Sequence, residues 1–114
     1  MTDTNKLLSD FMEIPTMYVE REYNKPDVLE IVNPDNPNGN LTGIPYQPDK
    51  DWNQLMDIVD KIETLIVDEV DVTVEMEHNF CTISGNFGPI YMENETKRES
   101  TYNAVVKFVI KYKE

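Results

Sequence analysis

Residues 51–76, DWNQLMDIVDKIETLIVDEVDVTVEM, change hydrophobic period midway, and that change decides the fold class. In the first half Trp52, Leu55, Met56, Val59, Ile62 and Ile66 recur at steps of three and four, which predicts an amphipathic helix over residues 52–65 with these side chains, Trp52 among them, facing the core. Asp51 and Gln54 stand at capping-box spacing, and Asp57 precedes Lys61 by four residues, the favourable order for a helical ion pair. In the second half Val70, Val72, Val74 and Met76 alternate with Asp71, Thr73, Glu75 and Glu77. That period of two predicts a strand with one apolar and one acidic face.

Downstream, His78-Asn79 predicts a turn into a strand at Phe80 to Ser84. Gly85 to Pro89 then turns the chain toward Ile90 to Met92, completing an antiparallel meander of at least three strands. Residues 95–112 read as a second long helix: Thr96 and Glu99 cap its start, and Tyr102, Val105, Val106, Val109 and Tyr112 form its stripe. Glu95 and Glu99 face its positive end and Lys107, Lys111 and Lys113 its negative end. Upstream, six of the seven prolines fall between residues 13 and 50, which predicts an irregular, turn-rich connection. Short strands are possible within it at 17–23 and 28–32, with a cluster of turn formers at 33–40. Residues 4–12 predict a short helix capped by Thr4, with Leu7, Leu8, Phe11 and Met12 on one stripe. The expected architecture is one α+β domain over residues 1–114: an antiparallel sheet of three or more strands packed with two long helices and a short N-terminal helix, in an α/β/α sandwich-like arrangement.

The length, 114 residues, is that of a single domain. Twenty-two acidic against ten basic residues give a net charge of −12, a field that repels nucleic acid and anionic membranes and attracts basic surfaces. The charge is uneven, since residues 97–114 hold five bases and two acids. A single cysteine, no leader-like start and no long apolar run predict a soluble protein of the cytoplasm, with no membrane association.

Three stretches, Asn5-Lys6-Leu7-Leu8-Ser9-Asp10-Phe11-Met12, Asp51-Trp52-Asn53-Gln54-Leu55-Met56 running on to Val59-Asp60-Lys61-Ile62-Glu63, and Tyr102-Asn103-Ala104-Val105-Val106-Lys107-Phe108-Val109, resemble the phage ABA sandwich domain, a family of small phage and prophage proteins. Glu13 stands where such sequences tend to have glycine, and the insert before Trp52 is longer and richer in proline. The resemblance implies helices on both sides of a sheet and a phage or prophage accessory role within the host cell. It supplies no catalytic residue.

The chain is poor in reactive side chains. His78 and Cys81 are its only histidine and cysteine, too few for a zinc site or a Cys/His nucleophile, and they read as a turn histidine beside a core cysteine. Asp49, Asp51 and Asn53 alternate as calcium-loop ligands do, but Gln54 occupies the glycine position, and helix capping explains them more simply. No catalytic residue, cofactor or metal is assigned, and the chain reads as non-enzymatic.

The acidic tract from Asp57 to Glu77 sets eight carboxylates against Lys61 alone. Its plain reading is a solvated face. Its sharper reading is a partner-binding patch of Asp68, Glu69, Asp71, Glu75 and Glu77 that imitates nucleic-acid charge and occupies the groove of a basic host or phage protein. Trp52, Tyr18, Tyr23, Tyr46 and Tyr91 are candidate aromatic anchors, with core packing the first reading for Trp52. Two alternatives stand beside it: self-assembly as a homodimer through an edge strand within Met17 to Val32, and small-molecule or divalent-metal binding by the carboxylates around Asp49 to Trp52.

Overall fold

The computed structural model describes residues 4–20, 28–32 and 41–113. Among them are three helices and eight strands, and every strand pairing is antiparallel. The fold is α+β. The chain divides into two compact units, Met1–Gln47 and Pro48–Glu114.

The first unit runs α1 (Thr4–Phe11), β1 (Thr16–Val19), β2 (Val28–Val32) and β3 (Leu41–Pro45), with the strands in the order β1-β2-β3. Thr4, expected as a cap, is the first helical residue. Helix α1 buries Leu8, Ser9 and Phe11 and ends in a Schellman motif: the Glu13 N–H donates to Asp10 O at 3.1 Å and the Ile14 N–H to Ser9 O at 2.9 Å. Closing that motif puts Glu13 at φ 59°, a left-handed conformation that suits glycine better than glutamate. Polar side chains then tie helix to strand. Lys6 Nζ donates to Thr16 Oγ1 at 3.1 Å and pairs with Asp10 at 3.5 Å, while Ser9 Oγ shares a hydrogen bond of 2.9 Å with Thr16 Oγ1.

The prolines of residues 13–50 point to an irregular connection, but the described part of that stretch is this sheet. Pro15 precedes β1 and Pro45 closes β3, so each lies at a strand boundary, where its missing N–H matters least. The strand at 28–32 forms as expected; of the one at 17–23, a strand forms over Thr16–Val19 and residues 21–23 lie outside the described residues, and Leu41–Pro45 was not foreseen. Strand β3 carries a bulge against β2, where Gly43 takes φ 76° and Thr42 Oγ1 donates to Ile31 O at 2.7 Å. The turn cluster at 33–40 lies outside the described residues. Leu29, Val32 and Tyr46 are buried with Leu8 and Phe11.

The second unit runs α2 (Trp52–Glu63), β4 (Ile66–Val67), β5 (Val70–Asp71), β6 (Thr73–Met76), β7 (Phe80–Ser84), β8 (Ile90–Glu93) and α3 (Lys97–Lys113). Both long helices start at their foreseen caps: Asp51 accepts from the Gln54 N–H at 3.1 Å, and Thr96 Oγ1 from the Glu99 N–H at 3.1 Å. The foreseen meander forms as β6-β7-β8. The expected strand through 70–76 is interrupted, because β5 pairs back with β4 in a separate hairpin. Between β5 and β6, Val72 is buried and its N–H donates to Leu65 O at 3.1 Å.

Helices α2 and α3 touch each other, α2 packs on β6, and α3 packs on β7 and β8. The side chains beneath them are Val74, Met76, Cys81, Ile83, Ile90 and Met92, which cross-strand register places on one face. Both helices therefore cover the same side of this sheet. Leu55, Ile58, Val59 and Ile62 fill the α2 interface; Trp52 is 37% exposed and Ile66 67% exposed, so neither belongs to the core. The buried stripe of α3 is Thr101, Ala104, Val105, Phe108 and Val109, turned from the expected one so that Tyr112 is exposed. Buried Ser100 closes the unit. Its Oγ donates to Asn79 O at 2.6 Å and accepts from the Asn94 N–H at 3.0 Å, joining the helix start to the β6–β7 turn and the end of β8.

Candidate functional site

With both helices on one side, the other side of β6-β7-β8 presents Thr73, Glu75, Phe80, Thr82, Ser84, Tyr91 and Glu93. Strand alternation dictates this set, since each residue precedes or follows one that faces the helices. Tyr91 is 52% exposed, and its ring lies 5.6 Å from that of Phe80, tilted by 32°. Its hydroxyl donates to Glu93 Oε2 at 3.1 Å. Desolvation against the sheet, followed by the hydrogen bond and the charge of Glu93, raises the Tyr91 pKa above its ordinary value. Glu75 lies across Thr82 from Tyr91. The face is thus a pair of aromatic rings with carboxylates on both flanking strands, chemistry suited to a guanidinium or ammonium, which gains from ring faces and carboxylates together.

The five acids singled out from the sequence are all exposed, but they occupy two places. Asp68 and Glu69 form the two-residue turn of the β4–β5 hairpin, and Asp71 ends it. Both turn residues have positive φ, 51° and 67°, the backbone of a type I′ turn. Asp68 Oδ2 accepts from Asn86 Nδ2 at 3.2 Å. Glu75 lies on the open sheet face, and Glu77 follows the end of β6, its N–H donating to Phe80 O at 2.9 Å. The sequence reading missed Phe80 and Glu93. The phase of β6, carried across two antiparallel registers, was the signal that contained them.

Of the candidate anchors, Tyr18 and Tyr91 are exposed and Tyr46 is buried; Tyr23 lies outside the described residues. Trp52 joins the exposed set, with Lys97 Nζ 6.0 Å from its ring centre, the outer limit of a cation–π contact. Cys81 is fully buried, as the core reading requires. Burial pushes its thiol up to about 11 against a small opposing effect of the Thr101 hydroxyl. Thr101 Oγ1 meets no strict hydrogen-bond geometry, so that contact is weak. Among the described residues no three His, Cys, Asp or Glu side chains gather to hold a metal ion, and no helix is long and apolar enough to cross a membrane. No family model, curated protein or solved structure matches the chain.

Proposed function

We propose that the chain is a small, non-enzymatic accessory protein of phage or prophage type that binds a basic host or phage protein through the open face of β6-β7-β8 and the acidic hairpin leading into it. The observation that carries the reading is the Phe80–Tyr91 ring pair, Tyr91 exposed and Phe80 half-buried, set among Glu75 and Glu93. A merely solvated acidic face has no need of exposed rings, whereas an interface uses aromatic anchors for affinity and surrounding charge for steering. The hairpin adds support. Asp68 suits its place in the turn, but Glu69 holds a backbone conformation that suits glycine, so the turn forgoes stability there to present a second carboxylate. Imitation of nucleic-acid charge is part of this proposal, as are the phage-family resemblance and a cytoplasmic location. The test is capture from host-cell lysate on the immobilised chain, at low and high salt. A basic protein retained in stoichiometric amount and released by salt supports the proposal; retention that ignores salt contradicts it.

A second reading, self-assembly through an edge strand, is favoured by one observation. Strand β1 is an edge of its sheet and exposes Met17 and Tyr18, uncharged side chains of the sort that invite pairing. Strand β2 lies between β1 and β3, so among the described residues of the Met17 to Val32 segment the edge strand is β1. A mass that rises with concentration and falls on Tyr18→Lys substitution would favour this reading.

A further inference from the structure

On the helix side of the second unit is a cavity of about 280 Å³ lined by Val67, Phe87, Phe108, Lys111 and Tyr112. Its walls are mainly aromatic: the Phe87 and Phe108 ring centres lie 5.4 Å apart, and Tyr112 stacks on Phe108 at 5.6 Å. The loop carrying Phe87 is shaped around that ring. A Cβ on Gly85 would stand 2.6 Å from Phe87 Cε1, and Gly88 takes φ 84°, so glycine on both sides lets the ring lie where it does. Asn86 ties the same loop to Asp68, next to Val67. On α3, Phe108, Lys111 and Tyr112 are three and four residues apart and share one face. Close packing is the rule in protein interiors, and a space of this size lies at the lower end of small-molecule sites.

Lys111 is the only charged side chain in the lining, is exposed, and joins no ion pair among the described residues. In a chain of net charge −12 a cation beside an aromatic cavity runs against the prevailing field. We infer that the cavity binds a small aromatic carboxylate, with its ring among Phe87, Phe108 and Tyr112 and its carboxylate on the Lys111 ammonium. Ring burial supplies most of the affinity, and the exposed ion pair selects the sign of the ligand's charge at modest gain. Asp68 and Glu69 follow Val67 in the chain without lining the cavity, and their exposed charges, screened by solvent, hold the selectivity to a few-fold.

The test is an NMR titration of the full chain, following backbone amides, with 3-phenylpropanoate, 3-phenylpropanol and 3-phenylpropylamine at neutral pH. The three probes share a ring and differ in charge. Saturable shifts are expected around Val67, Phe87, Phe108 and Lys111, with the acid bound about two- to fivefold more tightly than the alcohol and the amine weakest. Lys111→Gln, a surface substitution, removes the acid's advantage over the alcohol. An amine that binds as well as the acid overturns the ligand class, and no saturable shift in this region up to about 10 mM acid overturns the site.

Discussion

At residue scale the backbone outliers are the most informative feature. Glu13, at φ 59°, bears the cost of a left-handed side chain to close the Schellman motif of α1. Glu13→Gly removes that cost and should raise stability by about 1 kcal/mol, read as a higher midpoint in urea unfolding, whereas Glu13→Val should lower it. Glutamate has no preference for that backbone, so the special conformation there was not legible. Nor was the Asp68-Glu69 turn, because its usual signature is Asn-Gly or Asp-Gly and neither residue here is glycine. Cys81 gives a pH prediction. Its folded pKa of about 11 lies above the ordinary thiol value of 9.0, so the unfolded thiol loses its proton first as pH rises. Stability linked to this group is fully present below pH 9.0 and is lost as pH rises toward about 11, by an amount of order 2 kcal/mol. The difference in unfolding free energy between the chain and its Cys81→Ala variant, followed through that window, should shrink.

At the scale of elements, periodicity and caps located the helices that begin at Trp52 and Lys97 and the meander of β6-β7-β8, because each signal was local and several agreed. What periodicity could not fix was rotation. Thr101 and Ala104 do not look like core residues in isolation, yet they face the sheet, while Trp52 and Tyr112 look like core and face water. Tertiary packing made that choice. Strand β3 was hidden by its glycine bulge and its terminal proline, and strand 70–76 looked continuous because its alternation survives the break at Val72. Ser100 is the polar hinge of this packing, since its hydroxyl serves Asn79 and Asn94 at once. Ser100→Ala removes the hydroxyl's bonds to both groups, while the Asn94 N–H keeps its own bond to Asn79 O at 2.9 Å, and should cost about 0.5–1.5 kcal/mol in chemical unfolding. A cost below about 0.5 kcal/mol, typical of plain surface changes, would contradict this account of the closure. Gly85→Ala should also destabilise, because the new Cβ meets the Phe87 ring at 2.6 Å, and its loss should be smaller in a Phe87→Leu background.

At the scale of the whole molecule, composition foretold an acidic surface but not its organisation. Charge counts cannot show that both helices leave one side of β6-β7-β8 open, nor that aromatic rings stand among the carboxylates there; only register across three strands does. The five acids read from sequence are exposed, and their division between a hairpin and a sheet face follows from a strand break that alternation conceals. If the open face is the binding surface, converting Asp71, Glu75 and Glu77 to the corresponding amides should weaken binding to a basic partner and flatten its salt dependence. Amides on the exposed α2 acids Asp57, Asp60 and Glu63 should do much less. The most direct measurement is backbone-amide NMR mapping of the chain with an arginine-rich peptide at low salt. The account predicts shifts concentrated on Thr73 to Met76 and Tyr91 to Glu93, lost at high salt and lost on Tyr91→Ala; shifts spread evenly over all acidic segments, α2 included, would contradict it.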